Sequence, residues 1–282
     1  MENESSYEIN KFVPGGIKPI TVIVPCYKQE QTIIRDLTRI KEVLDKLRYP
    51  TELICVVDGK IDKTFERASK FAKKYENVKV IGYETNRGKG YAVRFGMAES
   101  HGDIIAFIDA GMDLNPNGLS MLLEHFEWYD ADIIVGSKRH PASKVRYPWQ
   151  RRLLSIGYQF LVWLLFGLKI RDTQVGMKFF KRQVLERVLP RLLVKRFAFD
   201  VEMLAVANYL GFTRIFEAPI DVTLGFGGTS TITSHKFIRT VLAMLLDTVA
   251  VYYRLKILNY YSDENKRKWR FDPELNFRIN VG

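Results

Sequence analysis

Five short runs rich in β-branched residues, TVIVP, ELICVVD, VKVIGY, DIIAFID and ADIIVG, recur between Ile20 and Val135, and amphipathic stretches fill the gaps between them. Those stretches lie near Glu30–Leu47, Lys63–Tyr75, Gly90–Ser100 and Asn117–Trp128. Each is long enough for the crossover helix that parallel neighbouring strands need and a hairpin turn cannot supply. The alternation predicts an α/β fold with an open, mostly parallel sheet flanked by helices. Ligands of such sheets gather beyond the carboxyl ends of the strands. The segments to search are therefore Pro25–Glu30, Asp58–Asp62, Asn86–Lys89, Asp109–Asp113 and Gly136–Arg139. At Asp58 and Asp109 an apolar run closes on a carboxylate, a placement that costs desolvation unless a cation or a donor meets it.

With 282 residues, 47% of them hydrophobic, the chain is long enough to bury a sizeable core. Its net charge of +11 favours anionic partners. The basic residues are dispersed and carry no recognisable nucleic-acid motif, so nucleic acid is not expected among them. Cys26 and Cys55 fall in strand-like runs without CxxC or zinc spacing, which predicts two reduced structural thiols. The start MENESSYEINKF lacks the basic, apolar and small-residue sequence of a secretory signal, an expectation of a chain that begins in the cytoplasm.

In FIDAGMDLNP, Asp109 ends a strand and Asp113 follows four residues later. Two hard oxygen ligands there suit Mg²⁺ or Mn²⁺ bridging a diphosphate. A helix cap by Asp113 and a turn role for Asp109 are the competing reading. Asp58 in VVDGKID suits a nucleobase edge or a ribose hydroxyl, or else stabilises its turn. NRGKG offers Gly88 and Gly90 for close backbone approach and Arg87 and Lys89 for anionic oxygens, yet it matches neither GxGxxG nor GxxxxGK[ST]. His101, His125, His140 and His235 are scattered, and Ser137 lies in GSKR rather than a GxSxG elbow.

VPCYKQE, VVDGKID, NRGKGYAVRFGM, FIDAGMD and IIVGSKR, in this order, resemble the GT-A glycosyltransferases of family 2. RDTQVGMKFFKR and RFAFDVEMLAVA continue the likeness towards the polyprenyl-phosphate (dolichol-phosphate) glucose and mannose synthases, over about Ile20 to Thr223. The resemblance implies inverting transfer of glucose or mannose from UDP-glucose or GDP-mannose to a polyprenyl phosphate, with glucose favoured by RDTQVG and RFAFDVE. A soluble family 2 transferase acting on a saccharide, or a weakly active or inactive sugar-nucleotide-binding homologue, is the alternative. By position, Pro25, Tyr27, Gln29, Asp58, Lys89 and Asp109 would bind the nucleotide, and Asp109 and Asp113 the metal, Mg²⁺ or Mn²⁺. Arg139, Arg151 and Ser155 would bind the acceptor phosphate, the last two sharing one helix face at i and i+4. Asp109, Arg139 and Asp172 are the candidate catalytic residues. The sequence departs from the family at Gly111, which replaces the second Asp of Asp-Ala-Asp, and at Lys28, Gln29, Lys60 and Ile61.

The expected organisation is a polar segment over 1–19, a catalytic domain over 20–224 with a nucleotide half at 20–139 and an acceptor half at 140–224, then a loop and amphipathic helices over 225–258 and a loosely held polar tail over 259–282. Within the acceptor half, Asp172–Arg182 reads as a turn followed by an edge strand, Phe199–Leu210 as a helix and Arg214–Thr223 as a strand. Leu153–Leu168 and Phe237–Ile257 are apolar but shorter, or more charged, than a spanning helix needs. Peripheral attachment at the cytoplasmic face of a membrane is the expectation for both, with core burial or a homo-oligomer contact as the alternative.

Overall fold

The computed structural model describes residues 19–111, 113–145, 149–194, 198–222, 235–264, 269–273, 275 and 277–280. The first half follows the predicted alternation: β1 (Ile20–Cys26), α1 (Ile33–Leu44), β2 (Thr51–Asp58), α2 (Thr64–Ala72), β3 (Val78–Tyr83), α3 (Lys89–Ala98), β4 (Ile104–Ile108), α4 (Gly118–Trp128) and β5 (Ile133–Ser137). All seven residues of β1 are buried, as a strand covered on both faces requires, which is why the run is continuously apolar rather than alternating. In α1 the buried Ile33, Leu37, Ile40 and Leu44 recur at helical spacing and form one stripe against the sheet.

The second half comprises β6 (Lys144–Val145), α5 (Trp149–Phe166), β7 (Met177–Lys181), α6 (Arg182–Val188), α7 (Phe199–Tyr209), β8 (Ile215–Pro219), β9 (Asp221–Val222) and α8 (His235–Tyr252). A π-helical turn, Tyr253–Ile257, extends α8, and β10 (Trp269–Asp272) pairs antiparallel with β11 (Phe277–Asn280). The main sheet has the order β3-β2-β1-β4-β7-β5-β8. Every adjacent pair in it is parallel except those of β7, which runs antiparallel to both β4 and β5. Helices α1, α2 and α4 cover one face of the sheet, and α3, α5, α6, α7 and α8 the other.

Two expectations are corrected here. The strand near Asp172–Arg182 is central, not an edge: β7 is hydrogen-bonded on both sides, and Met177 to Phe180 are all buried. Its composition could not reveal this, because Lys178 reads as a solvent-facing residue and is in fact enclosed. The segment after Asn259 is also tied down over its described part. Tyr261 is fully buried, its hydroxyl donates to Glu202 Oε1 at 2.7 Å, and Arg191 holds its carbonyl at 2.9 Å and pairs with Asp263. Leu275 is buried as well, so apolar side chains set in a polar stretch dock it together with the Arg191 contacts. Cys26 and Cys55 are free and buried, with sulfurs 3.4 Å apart on neighbouring strands.

Candidate functional site

A cavity of about 650 Å³ opens at the carboxyl ends of β1, β2 and β4, where the sheet's topology places it. Pro25, Tyr27 and Gln29 after β1, Asp58 after β2, Gly88 and Lys89 at the start of α3, and Asp109 after β4 line it together. The nucleotide residues expected from the sequence are therefore gathered in one place. Tyr27 is 41% exposed, and Gln29 accepts from Thr32 Oγ1 at 2.6 Å.

Asp58 is almost wholly buried and already holds the loop that follows β3. It accepts from the Tyr83 hydroxyl at 2.9 Å, Asn86 Nδ2 at 2.8 Å, the Arg87 amide at 2.7 Å and the Gly88 amide at 3.0 Å. Four donors nearly exhaust a carboxylate's capacity. Burial and the neighbouring Asp58 carboxylate push the Tyr83 phenol up, so the phenol remains a donor at neutral pH. The same loop starts α3 at the cavity edge, where the helix dipole favours an anion.

The floor is a chain of alternating charges. Lys89 Nζ lies 2.8 Å from both oxygens of Asp109 and 3.7 Å from Asp200 Oδ2, and Lys178 Nζ donates to Asp200 Oδ1. Burial works against the Lys89 ammonium, but Asp109 and Asp200 outweigh it and hold its pKa above the ordinary lysine value. Burial likewise opposes the Asp200 carboxylate, and Lys178 and Lys89 overcome it to hold its pKa below the usual range. Burial prevails at Lys178, whose pKa is pushed down although Asp200 opposes the shift.

Asp109 Oδ1 is buried and, despite its contact with Lys89, has no hydrogen-bond partner, which suits a cation that takes its other ligands from a diphosphate and water. Gly176, just before β7, makes room for this carboxylate: a Cβ there would fall 1.8 Å from Asp109 Oδ2. Asp113 is exposed and does not reach the cavity. Gly111 has a φ of +104°, a region that side chains rarely adopt. Among the described residues no cluster of three or more His, Cys, Asp or Glu forms a metal cage.

A second cavity, about 660 Å³, lies between α5 and α8 and is lined by Ser155, Tyr158, Val241, Met244 and Leu245 with Lys138 and Asp172 at its polar end. Gln174 lines both cavities. The turn carrying Asp172 and Gln174 is pinned from β8, where Glu217 Oε1 accepts from the amides of Arg171 at 2.7 Å and Asp172 at 3.0 Å. Asp172 accepts the Lys138 amide at 3.2 Å, and the Lys138 ammonium lies 3.8 Å from its Oδ2. Of the expected acceptor residues, Ser155 faces this cavity. Arg139 instead donates to the Arg171 carbonyl at 2.9 Å, and the Arg151 side chain lies outside the described residues.

Lys138, Lys178 and Glu217 were missed by sequence reasoning. Lys138 is adjacent to the expected Arg139, and the only signal for Lys178 was its place inside an apolar run. Both helices also carry exposed apolar side chains, Leu153, Phe160, Trp163 and Leu164 on α5 and Leu242, Leu246 and Val249 on α8. No helix among the described residues is long and apolar enough to cross a membrane.

A mostly parallel sheet with one inserted antiparallel strand and a ligand cavity at its rim defines an α/β fold of the GT-A type. The chain overlays the glucosyl-3-phosphoglycerate synthase of Mycobacterium tuberculosis, solved with uridine diphosphate, with a TM-score of 0.62 at 20% identity over 83% of this chain and 80% of that one. The sequence profile of glycosyl transferase family 2 matches residues 21–189, and the chain belongs to that family. It is 37% identical over 205 residues to a dolichyl-phosphate beta-glucosyltransferase of Drosophila melanogaster, covering 68% of this chain and 63% of the relative. To the human protein of the same name it is 36% identical over 220 residues, covering 72% and 65%. The chain thus spans less than two thirds of the length of these curated relatives.

Proposed function

We propose that the chain transfers glucose from a uridine diphosphate sugar to dolichyl phosphate at the cytoplasmic face of a membrane. The observation that carries this reading is that a polar cavity at the sheet rim and an apolar cavity between two long helices meet at Gln174. A charged donor and a lipid-linked acceptor require such a junction. The names of the curated relatives support glucose and dolichyl phosphate.

Lys89 and the first amides of α3 would bind the donor's diphosphate, with Pro25, Tyr27 and Gln29 towards the nucleoside. Asp58 acts mainly by holding the loop that presents Lys89. Asp109 would hold a divalent cation, Mn²⁺ or Mg²⁺, whose charge stabilises the departing nucleoside diphosphate. Related folds solved with Mn²⁺ and uridine diphosphate glucose support that choice. Lys138 and Ser155 would receive the acceptor phosphate at the polar end of the second cavity. A phosphate monoester is already ionised near neutral pH, so the site needs to position it rather than deprotonate it. The exposed face of α5 and α8 would lie on the bilayer, its apolar side chains entering the headgroup boundary.

Full-length protein incubated with radiolabelled UDP-glucose, Mn²⁺ and dolichyl phosphate is expected to transfer label into the organic phase. Label appearing instead on an added saccharide or on 3-phosphoglycerate, with none in lipid, overturns the acceptor assignment.

A further inference from the structure

Lys178 is 0% exposed, and its ammonium is held by the Val175 carbonyl and Asp200 Oδ1, 5.1 Å from the centre of the Phe107 ring. Enclosing an ammonium is costly, and well-packed apolar side chains often replace buried ion pairs without loss of stability. The sheet core gives no reason to place a charge at this position. What an apolar side chain would not do is hold Asp200.

Asp200 stands in the first turn of α7 and lines the donor cavity, with its second oxygen turned towards Lys89. Lys89 rests on Asp109, the carboxylate best suited to a cation. A cation bound at Asp109 would repel the Lys89 ammonium, which must then find another anion. Asp200 is that anion, held 3.7 Å away by Lys178; released from Lys178, its carboxylate would close onto Lys89 and compete with the diphosphate for the ammonium.

Resting on the nucleotide-sugar reading of this cavity, we infer that Lys178 is a positioning residue for the donor: it pins Asp200, so that Lys89 keeps a buried partner while its ammonium turns to the diphosphate. Lys178 touches no reacting atom. Its effect is confined to the phosphate end of the donor and spares the nucleoside end, which lies towards Pro25, Tyr27 and Gln29.

The test compares UDP with uridine, each titrated with Mn²⁺ present against wild type and K178M, using calorimetry for UDP and ligand-observed NMR for uridine. UDP affinity is expected to fall tenfold or more in K178M while uridine affinity changes less than twofold. A merely structural lysine would move both together. Should K178M not fold by circular dichroism, K178M/D200L replaces the buried pair with apolar side chains. Lys89 then has only Asp109 to rest on and competes with the cation there, so the same selective loss is expected. Equal losses for UDP and uridine, or unchanged UDP binding in either folded variant, overturn the positioning role alone. Failure of the wild type to bind either ligand overturns the nucleotide-sugar reading, and this inference with it.

Discussion

At the scale of single residues, the proposed donor site depends as much on absent side chains as on present ones. The carboxylate of Asp109 occupies the space in which a Cβ on residue 176 would sit. Gly176→Ala must therefore displace Asp109 or shift the chain entering β7. Overpacking of this kind costs about 1–3 kcal/mol, and the displaced carboxylate should lose the cation. The variant is expected to melt a few degrees lower and to bind UDP at least tenfold more weakly with Mn²⁺, while its UDP affinity without metal stays close to that of the wild type. A Gly176→Ala protein with wild-type Mn²⁺ dependence would contradict the placement. Asp58 and Asp109 were legible in the sequence because each closes an apolar strand with a charge, and that pattern locates a sheet rim. Lys178 was not, because it meets Asp200 through a strand inserted from elsewhere in the chain. Nor does spacing reveal which of Lys138 and Arg139, adjacent in one turn, enters a cavity. Asp113 illustrates the same limit, since four residues of loop can carry a carboxylate out to solvent as readily as into a site.

Among the elements, α5 and α8 carry the acceptor side of the proposed reading. Tyr158 on α5 meets Thr248 on α8 at 2.9 Å, so polar groups join the helices while apolar ones remain outside. Burial and loss of hydration push the Tyr158 phenol up to about 12, which keeps it neutral in this contact. Leu246 is 71% exposed on the outer face and makes no part of the core. Burying a leucine is worth about 1.5–3 kcal/mol, so Leu246→Glu should weaken partitioning onto liposomes by roughly tenfold or more at unchanged melting temperature. Sedimentation with vesicles checks this, and equal sedimentation of wild type and variant would remove the bilayer from the account. The two apolar stretches were readable as helices from composition. Their pairing was not, since they are separated in sequence by strands, helices and a glycine-rich segment and share no motif.

For the molecule as a whole, the position of β7 has a consequence for how the chain can be divided. Residues 20–139 contain the strands of a nucleotide-binding half, and the sequence alone invites treating them as a unit. Yet β4 and β5 do not touch: each pairs with β7, which arrives from beyond residue 170. A fragment of residues 20–139 therefore exposes the β7-facing edges of β4 and β5 and the β8-facing edge of β5, all paired in the intact chain, and open edges of this kind invite association with other chains. Expressed alone, the fragment is expected to aggregate or remain unfolded, and co-expression with residues 140–282 should recover a soluble complex. A monomeric, cooperatively melting fragment would refute this. Because β7 follows β5 by some forty residues and Asp200 comes later still, a nascent chain cannot close its sheet or wall the cavity at the rim until both have emerged, so nothing that depends on that cavity can bind during the synthesis of the first five strands.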